Sequence, residues 1–506
     1  MKPIKNVFLN ILFIFAAALM CCTAEKTDIP ESEYGTILPD GRFNSLRNDI
    51  QERLKNTGVS SLSISVAQKG NIIWQEAFGL ADIERSVKAT PYHMYSIASV
   101  SKPITAAGLM ILIEKGAISL DDPVDKYLGS AHITAYEGEA RNATIRRILS
   151  HTSGLPTHYH FYYEDEDYPV PQMEEAVRRY GILVTEPGEV YNYSNMGYGI
   201  LDYIITTVSG TQYADFLQSE VFEPLGMKRT AVITHSSQLQ DAAQRYDFHH
   251  KPVPFYDFDH RGASAVYSTA HDLVRFGMFH LNQPFPGQKR ILNEKTVNLM
   301  QKGEAYTEPE KLYGLGWTIN ENDNGYRTVY HTGIMHGVRA IVKFVPSENI
   351  VVSVLSNGKY DLAWRMADDI IGALLTDFAE KRSETVQKQP SESKPAIMDY
   401  YMGDWTGEIK TCQGTIPITM KIQSDDMIYV KLADQPEQIM SSVRMERNML
   451  RGQFEGTINT DDAVRRPHRI IMCLKHRGDR ISGSATALST SEREFALTSW
   501  IILRKK

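Results

Sequence analysis

Residues 94–116 read MYSIASVSKPITAAGLMILIEKG, and the interpretation of the whole chain starts from this stretch. Its first four residues are typical of a short strand, and the apolar positions after Lys102 recur with helical spacing. Pro103 suits the first turn of a helix, and Gly116 suits the position just past a helix end. The pattern therefore predicts Ser99 at a helix N-terminus, with Lys102 one turn further along the same face.

The pattern Ser-x-x-Lys is common enough to need this context. It occurs three times in the chain, starting at Ser99, Ser356 and Ser391. Ser356 ends a strand-like run, and Ser391 lies in a polar segment, so neither has a helix that would align a serine with a lysine. Ser99 and Lys102 are the pair that the local structure supports.

A serine and a lysine in this arrangement predict nucleophilic catalysis. A serine hydroxyl is a poor nucleophile until a neighbouring base removes its proton. Lysine can be that base only where burial or nearby positive charge lowers its pKa far below the usual value. We therefore predict Ser99 as the nucleophile and Lys102 as its base, with the Ser99 backbone N–H at the helix N-terminus as one oxyanion donor.

The segment Tyr193-Ser194-Asn195 supplies further candidates, and it is the one occurrence of Tyr-x-Asn. Tyr193 is predicted to pass the proton on to the leaving group. If the segment is extended, Asn195 points to the same side as Tyr193, where it would orient Lys102 or a substrate amide.

The third motif is His331-Thr332-Gly333, and it is predicted to precede a hairpin formed by strands 338–345 and 350–355. The first strand of such an edge can line a substrate groove, and the Ile334 N–H would be the second oxyanion donor. The other His-x-Gly sequences, at His260 and His476, lack this arrangement.

In this order the motifs, with the runs 149–156, 186–198 and 224–227, resemble the class C β-lactamase and D-peptidase group of penicillin-recognising serine hydrolases. The resemblance covers residues 40–380. It implies a mixed α/β (α+β) fold, with an antiparallel sheet flanked by helices and a helical region inserted between its early and late strands. It also implies an acyl-enzyme on Ser99, with Lys102 and Tyr193 as proton carriers.

His331 departs from many members of that group, which have a lysine there to hold the substrate carboxylate. Histidine has a pKa near 6.5 and offers only a weaker, conditional charge at neutral pH. The same variant is found in relatives similar to D-aminopeptidases and esterases. The resemblance therefore favours cleavage of D-amino-acid-containing peptides or related esters, with a β-lactamase, or a penicillin-binding sensor that acylates without turnover, as alternatives.

The N-terminus predicts export to the periplasm or cell envelope. Residues 1–24 combine an early positive charge with a short apolar run, which is typical of a secretory signal. Cleavage after Ala24 and lipidation at a cysteine of the pair Cys21-Cys22 remain open, so a lipid anchor to a membrane is one of two alternatives.

Residues 381–396 are polar and contain prolines, which predicts a linker. Residues 397–506 then show alternating apolar positions typical of a small all-β barrel or sandwich, and 400–407 is similar to the opening of lipocalin-like domains. The predicted strands are 416–422, 427–432, 449–458, 469–475, 480–487 and 495–503. Cys412 and Cys473 pair only if their strands are adjacent, and the sequence leaves this open.

The composition is that of an ordinary globular enzyme, with 506 residues and a net charge of −7. The acidic balance and the lack of basic runs exclude nucleic acid as an expected partner. The resemblance implies a small-molecule or peptide substrate, one that could derive from the cell wall. No cofactor is expected. The aromatic and acidic segment 158–168 is interpreted first as a solvated loop, second as a rim over the active site, and last as a metal site at His158 and His160.

Overall fold

The structure is a computed structural model that describes residues 34–358, 361–387 and 397–506. The predicted export signal at 1–24 lies outside these residues, as do 388–396 of the predicted linker. Among the described residues, no helix is both long enough and apolar enough to cross a membrane.

Helices and strands alternate in the first part of the chain, and strands alone fill the last part. The α-helices of the described chain are α1 (Asn44–Thr57), α2 (Ser101–Glu114), α3 (Ile145–Leu149), α4 (Met173–Tyr180), α5 (Asn195–Ser209), α6 (Tyr213–Leu217), α7 (Glu223–Leu225), α8 (Arg261–Ser264), α9 (Ala270–His280), α10 (Glu294–Met300), α11 (Leu362–Leu374) and α12 (Thr376–Gln387). The strands before residue 360 are β1 (Ser61–Gln68), β2 (Asn71–Asp82), β3 (Val87–Lys88), β4 (Tyr95–Ser96), β5 (Thr134–Ala135), β6 (Tyr159–Tyr163), β7 (Ile182–Leu183), β8 (Ala231–Val232), β9 (Tyr256–Phe258), β10 (Val266–Ser268), β11 (Ala305–Glu308), β12 (Lys311–Tyr313), β13 (Thr318–Asp323), β14 (Tyr326–Met335), β15 (Val338–Val345) and β16 (Ile350–Ser356). The later strands are β17 (Gly403–Thr411), β18 (Gly414–Ser424), β19 (Met427–Leu432), β20 (Gln438–Ile439), β21 (Ser441–Glu446), β22 (Met449–Glu455), β23 (His468–Arg477), β24 (Arg480–Ser489) and β25 (Phe495–Lys505).

A nine-stranded sheet forms the centre of the first part, in the order β11-β12-β13-β14-β15-β16-β1-β2-β3 with antiparallel pairing throughout. Both faces of β16 are buried, because successive side chains point to opposite sides. Val352 packs with α1 and α11 on one face, and Val351 packs with α9 on the other. Gly277 lets α9 approach the sheet, since a Cβ there would lie 2.5 Å from Val351. The predicted antiparallel sheet flanked by helices is confirmed.

The helical region lies between β3 and β11 in the chain and surrounds α2. Residues 101–112 of α2 are all buried, so this helix is enclosed by its neighbours and has no solvent-exposed face over that length. The predicted start of this helix close to Ser99 and Gly116 just past its end are both present, with Gly116 at φ +71°. The element that carries the predicted nucleophile is thus held in the core.

Strands β15 and β16 form the predicted hairpin, with a short 3-10 turn at Pro346–Glu348. His331 precedes this strand pair in the chain, as expected. His331 lies inside β14, which pairs with β15 along its length. The sequence analysis missed β14 as a strand because polar and apolar residues are mixed along it. One face of this strand packs inside the protein.

Residues 397–506 form an antiparallel sheet in the order β20-β19-β18-β17-β25-β24-β23-β22-β21, which curls into a nearly closed barrel. All six predicted strands are present. The sequence reading missed β17, β20 and β21, of which β21 is largely exposed and shows little apolar alternation. In β17, Gly407 permits close pairing, since a Cβ there would lie 1.9 Å from the Ile502 carbonyl oxygen of β25. Cys412 and Cys473 are free thiols.

The first part of the predicted linker is helical. Helix α12 continues to Gln387, because Phe378 is buried against the first part of the protein and Arg382 binds Asp369 of α11 at 2.7 Å. A polar composition therefore did not mean a lack of structure here. The boundaries at 380 and 397 are otherwise predictions from the sequence.

The first half of the segment 158–168 is not a solvated loop, whereas Glu164, Asp165 and Asp167 in its second half are exposed. Its residues 160–163 are buried in β6, which pairs on one side with β9 and on the other with β25 of the C-terminal sheet. The acidic residue Glu166 binds Arg466 and Arg493 of the C-terminal part, both at 2.6 Å. Some of its aromatic and acidic residues therefore lie in the contact between the two parts of the chain.

Candidate active site

A tight turn presents Ser99 at the start of α2. The residues Ala98–Val100 form a 3-10 turn, and Ala98 has φ +48°, which is uncommon for a residue with a side chain. The Ser101 hydroxyl donates to the Ala98 carbonyl at 2.7 Å and accepts from the Val266 N–H at 3.1 Å. These two bonds hold the turn in its strained conformation while Ser99 itself stays partly exposed.

Lys102 lies fully buried one turn after Ser99. Its Nζ donates to Ser99 Oγ at 3.1 Å, to Asn195 Oδ1 at 2.8 Å and to the Ala263 carbonyl oxygen at 3.2 Å. Burial lowers the pKa of Lys102 well below its ordinary 10.5, because the charged form loses its hydration and gains no carboxylate among these three partners. A neutral Lys102 has a lone pair that can accept the proton of Ser99.

Tyr193 lies beside this pair. Lys102 Nζ is 4.6 Å from the centre of the Tyr193 ring. Burial raises the pKa of Tyr193 above its ordinary value, although a hydrogen bond with Ser99 opposes the shift. Tyr193 therefore keeps its proton at neutral pH, which suits the predicted role of handing a proton to the leaving group and leaves Lys102 as the base.

Asn195 reaches the site in a different way from that expected. The extended segment ends at Ser194, whose side chain accepts from the Gly197 N–H and caps α5. Asn195 is the first residue of that helix, so the helix start and not strand alternation aims its amide oxygen at Lys102. The expected contact between Asn195 and Lys102 is present, while the extended geometry proposed for it is wrong.

His151 braces the loop that carries Tyr193. Its Nδ1 accepts from the Ser194 N–H at 3.1 Å, and its ring packs on the Tyr193 ring with centres 4.3 Å apart. Burial, with Lys102 and His331 nearby, keeps the pKa of His151 well below its ordinary value. A neutral ring fits this packing role.

His331 does not supply the conditional positive charge that its sequence position suggested. The ring is buried; Nδ1 lies 2.8 Å from the Thr332 carbonyl oxygen and so carries the proton, while Nε2 accepts from the Tyr313 hydroxyl at 2.9 Å. Burial, reinforced by Lys102, lowers the pKa of His331 to about 3. His331 is therefore a neutral side chain that packs behind the site.

The edge of β14 runs beside the Ser99 turn. Strand β13 pairs with β14 only as far as Tyr330, so the edge that follows is free of that strand. Gly333 faces the Ile97 carbonyl oxygen so closely that a Cβ would lie 2.2 Å from it. Ile334 and Ser99 line the same cavity, which brings the elements that carry the two predicted oxyanion donors together. Thr332 lies on the same edge and is partly exposed.

This cavity has a volume of about 270 Å³ and contains several residues that the sequence analysis did not place in the site. Arg339 belongs to β15 of the hairpin, and the second charged residue that lines the cavity, Glu494, comes from the C-terminal part of the chain. His260 was set aside because it lacks a following hairpin. An acid next to a histidine, as at Asp259-His260, was a usable signal, whereas nothing in the sequence marked Glu494. The lining consists of Ser99, Tyr159, Phe161, Asn195, His260, Ser264, Ile334, Met335, Arg339 and Glu494.

The two histidines considered as metal ligands do not act together. His160 pairs with the Tyr162 hydroxyl at 3.0 Å, whereas His158 Nε2 lies 2.7 Å from Asp259 Oδ2. His260 Nδ1 lies 2.5 Å from the other oxygen of Asp259. The side chains of His158, Asp259 and His260 are close enough to surround a cation, but each short contact is a hydrogen bond between a ring nitrogen and a carboxylate oxygen.

Comparisons with known proteins agree with this architecture. A family described as Beta-lactamase matches residues 46–375. Penicillin-binding protein 4* of Bacillus subtilis is 26% identical over 374 residues, which cover 68% of this chain and 78% of that protein. The octameric penicillin-binding protein homologue from Pyrococcus abyssi covers 91% of this chain and 99% of its own, with a TM-score of 0.58 and 22% identity. A class C beta lactamase from Rhodobacter sphaeroides covers 67% and 99%, with a TM-score of 0.54 and 22% identity.

The buried lysine predicts a specific pH dependence. Protonation of Lys102 removes the lone pair that accepts the Ser99 proton, so kcat/KM for an ester substrate should fall at low pH. Because burial lowers the Lys102 pKa, the midpoint of this fall should lie well below 10.5. In His331→Gln the midpoint should stay where it is, since His331 is already neutral. A midpoint near 10.5, or loss of the fall in His331→Gln, would contradict the assignment.

The close approach of β14 predicts that Gly333→Ala damages catalysis more than stability. The added methyl group would push β14 away from the Ile97 carbonyl and separate the Ile334 N–H from Ser99. We expect kcat to fall by about 100-fold, the loss typical of one missing oxyanion donor. Gly41→Ala is the matched control, because its Cβ would meet its nearest neighbour only at 3.8 Å. Equal activity of the two variants would refute this placement of the strand.

Proposed function

The chain belongs to the beta-lactamase family of serine hydrolases, and from that premise we propose that it cleaves amide bonds of small D-amino-acid-containing peptides, or related esters. The reaction proceeds through an acyl-enzyme on Ser99. Lys102 takes the Ser99 proton as Oγ attacks the carbonyl carbon. Tyr193 gives a proton to the leaving nitrogen or oxygen as the bond to the carbonyl carbon breaks, and the proton held by Lys102 restores Tyr193. The N–H groups of Ser99 and Ile334 stabilise the oxyanion, and water then releases the acid and restores Ser99.

The observation that carries the substrate class is the pair of opposite charges at the Ser99 cavity. Arg339 and Glu494 both line it, and the Arg339 side chain is 12% exposed and held by Asp361 at 2.9 Å. A peptide substrate with a free ammonium group and a carboxylate complements both charges. A penicillin with a neutral side chain has only a carboxylate, so it offers no positive charge to Glu494.

A second cavity supports a substrate longer than a β-lactam. It has a volume of about 430 Å³ and lies between the C-terminal sheet and the loop that carries Tyr193. Tyr159 borders both cavities, so the second one lies next to the cavity that contains Ser99. Since Tyr193 donates to the leaving group, this space would accommodate the departing part of an elongated substrate.

Two alternatives share the same nucleophile. A β-lactamase or a penicillin-binding sensor would also form an acyl-enzyme on Ser99. Because two of the similar proteins are named as penicillin-binding proteins, the experiment below includes a penicillin. Export to the periplasm or cell envelope stays a prediction from residues 1–24, as does the choice between a lipid anchor and a soluble mature form.

Intact-mass measurement distinguishes these functions. The full chain and Ser99→Ala are incubated separately with a penicillin, with D-alanine p-nitroanilide and with its L-enantiomer. We expect turnover of the D-substrate that Ser99→Ala abolishes, with no persistent penicillin adduct. A stable penicillin adduct that requires Ser99 would support the sensor, and rapid penicillin consumption would support the β-lactamase. Undiminished turnover by Ser99→Ala would reject the nucleophile.

The charge of Glu494 predicts selectivity for a free amino group. In Glu494→Gln, we expect KM to rise about tenfold for a substrate with a free ammonium group, because an opposite charge in a confined site is lost. KM for the N-acetylated substrate should stay constant. Glu492→Gln removes a nearby exposed charge outside the cavity and serves as the control. A uniform change for both substrates would contradict the role of Glu494.

A further inference from the structure

A threonine of the C-terminal sheet contacts the segment that leads into β6. Thr498 of β25 is buried, and its hydroxyl donates to the Thr157 carbonyl oxygen at 2.7 Å. On the neighbouring strand β24, the Thr486 hydroxyl lies 2.8 Å from that of Thr498. Because the Thr498 proton is committed to Thr157, Thr486 is the donor in this second bond.

The segment that Thr498 holds is itself in contact with the catalytic loop. The Thr157 hydroxyl donates to the Tyr193 carbonyl oxygen at 3.0 Å. The next carbonyl, that of His158, accepts from Asn195 Nδ2 at 2.9 Å. Asn195 in turn accepts from Lys102 through its amide oxygen. Two consecutive residues therefore set the backbone of Tyr193 and the orientation of the Asn195 amide.

The side chain of His158 is also linked to Lys102, through a series of contacts that ends at the Ala263 carbonyl oxygen. Its ring holds Asp259, and Asp259 holds His260, the residue that precedes α8. Helix α8 carries the Ala263 carbonyl oxygen that accepts from Lys102 at 3.2 Å. The side chains of Thr498, Asn195, Lys102, His158, Asp259 and His260 are buried, so the contacts among them are shielded from competing water.

From these contacts we infer that Thr498 is a positioning residue, through which the C-terminal sheet holds Lys102 and Tyr193 in their reactive arrangement. The inference rests on the proposed acyl-enzyme chemistry of Ser99. Thr498 acts on the backbone of Thr157, and the effect passes to Tyr193 through one hydrogen bond and to Lys102 through Asn195 and α8. A displacement of about 1 Å in such an arrangement costs about 100-fold in rate. The C-terminal sheet is thereby part of the catalytic unit and is not a separate appendage.

The test removes the hydroxyl of Thr498 without changing its shape. For Thr498→Val in the full chain, we expect kcat for D-alanine p-nitroanilide to fall 10- to 100-fold with KM within about twofold. Water that enters around a loosened Lys102 restores part of its hydration, so the low-pH fall of kcat/KM should move to higher pH. Thr498→Ser keeps the donor and should restore kcat to within about threefold of the unaltered protein.

Thr486→Val is the matched control, because it loses a hydroxyl bond of the same sheet but leaves the Thr157 contact in place. The two valine variants should lose similar thermal stability, while only Thr498→Val loses kcat and shifts the pH profile. Equal kcat in both variants, or an unshifted profile in Thr498→Val, would overturn the inference.

A second variant keeps the test valid if Thr498→Val does not fold. Thr157 is exposed, so Thr157→Val removes its bond to Tyr193 with little cost to stability. We expect a lower kcat at unchanged melting temperature, and an unchanged kcat would count against the inference. Failure of the proposed function would instead appear as activity that survives in Ser99→Ala, which is independent of either threonine.

Discussion

The structure depends on the burial of one amine. Lys102 is completely shielded from solvent, and its three hydrogen-bond partners are all uncharged. A buried ammonium group without a carboxylate is costly, so the site favours the neutral amine that catalysis needs. Enclosing this one side chain requires α2 to lie in the core, α8 and α5 to close over it, and β14 to pass close to the Ser99 turn.

Two unusual local conformations follow from that constraint. Ala98 adopts a positive φ so that Ser99 can face the cavity while the next turn of α2 stays buried. Gly333 leaves no room for a side chain because the Ile97 carbonyl occupies its place. Ala98 directly precedes the nucleophile, and Gly333 lies against the carbonyl of Ile97, two residues before Ser99. Strain such as that at Ala98 is expected to serve function and to be offset by packing elsewhere.

The C-terminal sheet closes the site from a distance in sequence. Strand β25 pairs with β6, and arginines of the C-terminal part form ion pairs with Glu166, which follows β6. The same docking brings Glu494 to the cavity and Thr498 to the segment beside Tyr193. Substrate selection and catalytic geometry are thus linked to the contact between the two parts of the chain.

Local patterns in the sequence were sufficient to find the helix after Ser99, the hairpin β15–β16, six strands of the C-terminal sheet, and the Ser99, Lys102, Tyr193 and Asn195 group. These features depend on residue spacing within one element or on short motifs, and both can be recognised from the sequence alone. The tertiary structure alone decided that 160–163 are buried, that His331 is neutral, and that Glu494 and Asp259-His260 lie near Ser99. Burial and charge pairing depend on which distant strands and helices meet, and contacts such as Thr498 with Thr157 join residues whose separation along the chain leaves no periodic signal.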